Sequence, residues 1–293
     1  MGKIISATAP CSWGVWYADG RPSGTPYNVF LDQAAECGYK SLEMGPDGYL
    51  PTDIVQLKEE LDRRGLTICA GTACYTFDKF ETFADFREPV TALCKRLNNF
   101  SAKYLVVMDE SDVGRFSEKK EHYSGSTWEK YFRMFKEMGE YTLNSFGVET
   151  VFHPHIKSLV ETEDEICRMM DFCNLNLCFD IGHHAYVNGG GSVLDFIESY
   201  KERIVYLHFK NVDGAILKKV QEEHLDSDTA FSLDVMCRLD EGIVDYKALK
   251  TLLDKINFEG IGVVEQDVPN ATADEAFELS RHNLKYLKDI GMV

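Results

Sequence analysis

No run of apolar residues in the chain reaches the roughly 18 that a membrane-spanning helix needs, so no membrane segment or membrane partner is expected. Basic residues are scarce. The 31 Lys and Arg stand against 48 Asp and Glu, a formal net charge of −17, whereas a phosphate-backbone partner requires a basic face; nucleic-acid binding is not expected. The nine cysteines include no CxxC pair or knuckle spacing, which argues against a zinc ribbon and a disulfide framework and for a reducing, cytoplasmic setting. Met1-Gly2-Lys3-Ile4-Ile5 is too short and too soon polar to read as a signal peptide, and Gly2 leads into a strand rather than a myristoylation context. There is no low-complexity linker, and no GxGxxG follows the first strand, which counts against a doubly wound dinucleotide fold.

What is present is a repeated strand–helix alternation. Strands are expected at Lys3–Pro10, Tyr39–Met44, Leu66–Thr72, Lys103–Met108, Val148–Phe152, Leu175–Phe179, Ile204–Leu207 and Gly260–Glu265. Helices are expected between them: Thr25, as N-cap, and Pro26 open the first and Gly38 ends it. Others cover Asp53–Arg64, Phe83–Ser101, Trp128–Phe146, Glu163–Cys173, Val193–Lys201, Asp245–Ile256 and Ala273–Lys288. Parallel neighbours need such crossovers. Eight units in 293 residues predict an α/β chain forming a single (β/α)8 TIM barrel over residues 1–293. Two stretches depart from the pattern: a polar loop, Asp109–Ser126, which at that length reads as functional or mobile, and a helical insertion after strand seven at about 212–239.

Three strands end in groups that bind metals: Phe152 is followed by His153-Pro154-His155, Phe179 by Asp180-Ile181-Gly182-His183, and Leu207 by His208-Phe209-Lys210. The spacings from His153 to Asp180 and from Asp180 to His208 are 27 and 28 residues, one βα unit each. In such barrels the ligand site lies at the carboxyl ends of the strands, and Glu265 ends the eighth. His153, Asp180, His208 and Glu265 therefore form a candidate metal set, its two imidazoles and two carboxylates suited to Mn²⁺, Co²⁺, Fe²⁺ or Zn²⁺. His155, His183, Lys210 and Glu43 stand near the same mouth as candidate acids, bases and substrate clamps. Trp13 and Trp16, in the loop after strand one, are candidates for lining the mouth and stacking on a sugar ring. Taken singly each residue has a plainer reading: a strand-end His held by a hydrogen bond, Asp180 capping the next segment, Glu43 or Glu265 as a solvated strand end. His122, His184, His224 and His282 lack strand-end support and read as surface or packing residues.

The segments Ala9-Pro10-Cys11-Ser12-Trp13-Gly14-Val15-Trp16, Glu43-Met44-Gly45-Pro46-Asp47-Gly48-Tyr49-Leu50-Pro51-Thr52-Asp53, Phe152-His153-Pro154-His155, Asp180-Ile181-Gly182-His183, His208-Phe209-Lys210-Asn211-Val212-Asp213 and Val264-Glu265-Gln266-Asp267 resemble the xylose isomerase-like TIM barrels, the sugar isomerase, epimerase and endonuclease IV superfamily. Within it the chain resembles inosose (2-keto-myo-inositol) dehydratases over essentially its whole length. The resemblance implies His153, Asp180, His208 and Glu265 as ligands, Mn²⁺ or Co²⁺ as the usual metal, and a keto-inositol that loses water. It is broken where Asp240-Glu241-Gly242 replaces a Gly-Glu-Gly turn and where Asn211 replaces an Asp.

The expected function is a metal-dependent dehydratase removing water from 2-keto-myo-inositol or a related keto cyclitol or sugar through a metal-stabilised enolate. His155 or Lys210, then Glu43, are candidates for the base, and His183 for the acid. A ketose isomerase or epimerase, or a 3-keto-glycoside lyase, are the alternatives on the same site. The expected partner is a small-molecule substrate, and a homo-oligomer is left open.

Overall fold

In a computed structural model, residues 4–114 and 116–293 are described; Met1, Gly2 and Lys3, where the first expected strand and the myristoylation question begin, lie outside them, as does Arg115 of the polar loop. The strands are β1 (Ile4–Thr8), β2 (Ser41–Glu43), β3 (Thr67–Tyr75), β4 (Tyr104–Asp109), β5 (Glu149–Phe152), β6 (Asn176–Asp180), β7 (Ile204–Phe209), β8 (Asn211–Val212), β9 (Met236–Cys237) and β10 (Gly260–Val264). The α-helices are α1 (Tyr27–Cys37), α2 (Ile54–Asp62), α3 (Arg87–Asn98), α4 (Glu118–Glu121), α5 (Gly125–Phe146), α6 (Glu163–Phe172), α7 (Ile181–Asn188), α8 (Ser192–Ser199), α9 (Gly214–Glu222), α10 (Ser227–Ser232), α11 (Tyr246–Lys255) and α12 (Ala273–Asp289). Eight strands close a parallel barrel in the order β1-β10-β7-β6-β5-β4-β3-β2. None of the described helices is long and apolar enough to cross a membrane.

The two-residue period of a strand sorts side chains into two layers. Ala7, Ala70, Val106, Val151, Cys178, Tyr206 and Val263 pack the barrel interior. The alternate residues Leu42, Val107, Phe152, Phe179, Leu207 and Val264 join the helices in the outer core. Helix starts follow short polar side chains that accept otherwise unpaired backbone N–H groups: Asp53 for α2, Ser124 for α5, Asp213 for α9 and Asp245 for α11. Thr162 with Glu165, and Thr272 with Glu275, make reciprocal capping boxes for α6 and α12.

The structure corrects several local expectations. Pro26, not Thr25, is the N-cap of α1, because the Thr25 hydroxyl turns back to Trp13 O at 3.3 Å. The helix expected over Phe83–Ser101 is divided into a 3₁₀ turn, Phe83–Asp85, and α3; Pro89 lies in the first turn of α3, where its missing N–H costs nothing. The polar loop carries α4 and the start of α5, and the Asp109 carboxylate ties it down by accepting from Leu159 N at 2.8 Å and Phe77 N at 3.3 Å. The segment expected as an insertion holds α9 and α10, closed by the antiparallel pair β8–β9. Asn211, fully buried, fastens its base: Oδ1 accepts from Val212 N and Val244 N, while Nδ2 donates to Leu239 O at 2.8 Å and Val244 O at 3.0 Å. An aspartate there could not make the two donations.

Candidate active site

Continuing the inward register one step past the packed interior brings polar groups to the carboxyl end of the barrel. Asp180 follows inward Cys178 on β6, His208 follows Tyr206 on β7, His153 follows Val151 after β5, and Glu265 follows Val263 after β10. All four are buried, and each offers one ligand atom within 4.8 Å of the others.

Asp180 divides its two oxygens. Oδ1 accepts from His183 N at 2.8 Å and caps α7, so the capping role weighed from sequence is real. Oδ2 faces the cluster, 3.5 Å from His153 Nε2, 3.6 Å from His208 Nδ1 and 3.0 Å from Lys210 Nζ. His208 Nδ1 also lies 2.9 Å from Glu265 Oε2, yet neither Asp180 Oδ2 nor His208 Nδ1 is in hydrogen-bonding alignment with a partner. Buried polar atoms that converge without bonding one another fit a cation between them. The far sides of the imidazoles are anchored as metal-ligating histidines are: His153 Nδ1 lies 3.0 Å from Pro154 O and His208 Nε2 3.0 Å from Glu43 Oε1. Glu43 further accepts from Tyr206 Oη at 2.8 Å and Thr72 Oγ1 at 3.3 Å.

Lys210 extends the β7 register by one more inward position. Its ammonium lies 2.8 Å from Asp267 Oδ2, 3.0 Å from Asp180 Oδ2, 3.2 Å from Glu265 Oε2 and 3.2 Å from His183 Nε2. Burial alone would lower its pKa, but Asp180, Asp267 and Glu265 together raise it well above the usual lysine value. Burial would likewise raise Asp267, but Lys210 and His183 hold it at about 2. His155 is the opposite case: burial, then the neighbouring His183, His153 and Lys210, push it well below the usual histidine value and keep it neutral. Its Nδ1 lies 2.7 Å from Ile156 O, so Nδ1–H donates there and Nε2 is left as the basic nitrogen.

Above these groups opens a cavity of about 640 Å³ bordered by His153, His155, His183, Lys210, Glu265 and Glu43. Asp180 and His208 lie beneath its floor. Trp16 borders it, but Trp13 does not: Trp13 is fully buried, packs edge-on to Phe30 at 5.0 Å and donates from Nε1 to Gln33 Oε1 at 2.7 Å. The expectation that Trp13 contacts substrate is therefore corrected; it is a core residue. His184 is buried against Glu163 at 2.9 Å and His282 meets Asp240 at 2.9 Å, while His122 and His224 are exposed. Asp267, not among the candidates from sequence, also borders the cavity. Its signal was present, two residues beyond Glu265 on the same face.

A model of the xylose isomerase-like TIM barrel family matches residues 31–290. The chain belongs to this family. It is 29% identical to the rhizopine catabolism protein MocC of Rhizobium meliloti over 263 residues, 86% of this chain and 79% of that protein. It is 26% identical to an inosose dehydratase of Glaesserella parasuis over 293 residues, 95% of each chain. Among solved structures, the probable 3-DHS dehydratase AsbF of Bacillus anthracis superposes with a TM-score of 0.73 at 15% identity, covering 97% of this chain and 99% of that one. The IolI protein, crystallised with a zinc atom, gives 0.71 at 15% identity and 98% of each. At such identity the two structures show the shared barrel.

Proposed function

We propose that this protein is a metal-dependent hydro-lyase that removes water from 2-keto-myo-inositol or a closely related keto cyclitol or sugar. The observation that carries the reading is the buried cluster of His153, Asp180, His208 and Glu265, of which His153 and Glu265 border a cavity whose wall holds proton-transfer groups. The likeness to an inosose dehydratase across nearly the whole chain supports the substrate class. The donor set suits Mn²⁺ or Co²⁺, with Fe²⁺ and Zn²⁺ also compatible. When bound, such a cation supplies Lewis-acid stabilisation of the negative charge that develops on a ketone oxygen.

The chain's own groups divide the proton work by their surroundings. His155, neutral and with Nε2 free, takes the proton alpha to the ketone. Lys210 is held charged by three carboxylates and so acts as acid rather than base, giving a proton to the departing hydroxyl, which leaves as water, and regaining one from solvent. His183, 3.3 Å from Asp267 and 3.2 Å from Lys210, orients that donor and shares its proton. Glu43 is engaged by His208, Tyr206 and Thr72, and its task is to hold His208.

Incubation of the Mn²⁺-loaded protein with 2-keto-myo-inositol in D₂O, followed by NMR, tests the reaction. Formation of a dehydrated product supports the reading. Exchange of the alpha proton without that product would replace it with the isomerase or epimerase reading, which begins with the same proton removal.

A further inference from the structure

The cavity is larger than a single polyol ring requires. Its volume of about 640 Å³ falls within the ~300–1,000 Å³ of sites that enclose drug-sized ligands. The polar groups assigned to the reaction come mainly from the ends of β5, β6, β7 and β10. The remaining wall, formed after β1 to β4 and by the insertion, presents Trp16, Tyr75, Pro89, Leu93, Met108 and Phe231. Asp47, Thr72, Glu110, Lys157 and Asp228 also border this side of the cavity, but a polyol lying on the apolar side chains themselves would lose water from its hydroxyls without gaining partners, at a net cost.

Three aromatic rings of this wall are fixed before any ligand arrives. Trp16 N donates to Arg21 O at 2.8 Å, and the loop is closed by a bridge between Val15 and Pro22. Phe231, on α10, meets the Trp16 ring edge-on with centroids 6.4 Å apart. The short helix that carries it is capped by Asp226, which accepts from Thr229 N at 2.7 Å, and its Asp228 pairs with Lys157 at 3.1 Å. Tyr75 is wedged against Phe86 at 5.1 Å and Phe77 at 5.8 Å. Trp16 nevertheless leaves 37% of its surface open. A large ring held in place yet left uncovered at the mouth is a preformed platform, since the entropy of ordering it has been lost in folding rather than in binding.

We propose that this second compartment binds a flat aromatic group attached to the reacting ring, so that the preferred substrate is an aryl conjugate of a keto sugar or keto cyclitol rather than the bare ring. The inference rests on the proposed placement of the reacting ring beside His155 and Lys210. It assigns the insertion a task, which is to supply Phe231 as one side of the aromatic compartment.

Phenyl and methyl β-D-glucopyranoside, which differ only beyond the sugar ring, are titrated calorimetrically into the full-length Mn²⁺-loaded protein. The phenyl compound is expected to bind at least about tenfold more tightly, the scale of burying one aromatic ring against others. Phe231→Ala and Trp16→Leu are each expected to reduce that ratio severalfold. Equal affinities, no binding of the phenyl compound at millimolar concentration, or a preference that survives both substitutions would overturn the proposal. A parallel dehydration assay on 2-keto-myo-inositol separates the claims. Dehydration without a phenyl preference removes the aromatic compartment alone, whereas a phenyl preference without dehydration keeps it and removes the proposed reaction.

Discussion

Glu43 holds the back of His208. Its Oε1 lies 3.0 Å from His208 Nε2, while Nδ1 of the same ring points at Asp180 and Glu265. The surrounding carboxylates raise His208 well above the ordinary histidine value; a metal would have to displace the Nδ1 proton, and donation of Nε2–H to Glu43 would then keep the Nδ1 lone pair facing the cluster. Outer partners of this kind contribute about 10–100-fold to metal affinity. Glu43→Gln should therefore weaken Mn²⁺ or Co²⁺ binding by that factor with the fold intact, as read by calorimetric titration. An unchanged Kd would detach Glu43 from the proposed metal site.

Lys210, together with the His208 ring, compensates Asp180, Glu265 and Asp267 in the protein without metal. Replacing it with Met leaves three buried carboxylates facing one another, and breaking a buried pair costs about 3–5 kcal/mol. Lys210→Met should lower metal-free stability on that scale, regain much of it on adding Mn²⁺, and lose at least about 10²-fold in kcat. Urea melts with and without Mn²⁺ check the first two effects. Equal metal-free stability would show that the carboxylates do not depend on Lys210.

Gly182 leaves room for that lysine. A Cβ there would stand 2.6 Å from both Cβ and Cγ of Lys210. In an open helix Gly→Ala gains up to about 1 kcal/mol; here the methyl must displace the Lys210 stem. Gly182→Ala is expected to cut kcat/KM at least about tenfold and to lower Tm. A variant with full activity would show that the lysine position tolerates movement.

How much of this was legible in the sequence depended on whether a local pattern carried the information. The barrel was legible because apolar runs alternate with capped amphipathic stretches, and the period of two put His208 and Lys210 on one face. His153, Asp180 and Glu265 were legible because each ends a strand. Trp13 and Trp16 could not be told apart: they sit three residues apart in one loop, and only the packing of α1 decides that Trp13 meets Phe30 while Trp16 faces the cavity. Helix α7 was hidden for a similar reason. Its residues Ile181–Asn188 include Gly182 and two histidines, poor helix formers that burial beneath the cavity holds in place. Whether Lys210 is acid or base depends on Asp267, whose approach from β10 is a tertiary fact.

His184, which is not one of the four candidate ligands, gives a pH dependence. Burial, opposed by Glu163, lowers its pKa below the ordinary histidine value, so the native state favours the neutral ring more than the unfolded chain does. The stability from this difference is fully present above the unfolded-state value near 6.5 and is lost as pH falls from there through the lower folded value. Between about pH 8 and pH 5 the wild-type protein should lose stability more steeply than His184→Gln, by about 1.4 kcal/mol per unit of pKa difference. Parallel slopes in urea midpoints would contradict the assignment.

The central claim is that His153, Asp180, His208 and Glu265 hold a metal on which dehydration depends. The direct measurement is a Mn²⁺ titration of the metal-stripped protein, with elemental analysis, while the NMR spectrum of 2-keto-myo-inositol is followed. The account predicts that product formation rises with bound metal, saturates near one equivalent and is abolished in Asp180→Asn and His208→Gln. Dehydration at full rate without metal, or metal bound equally well by both variants, would contradict it.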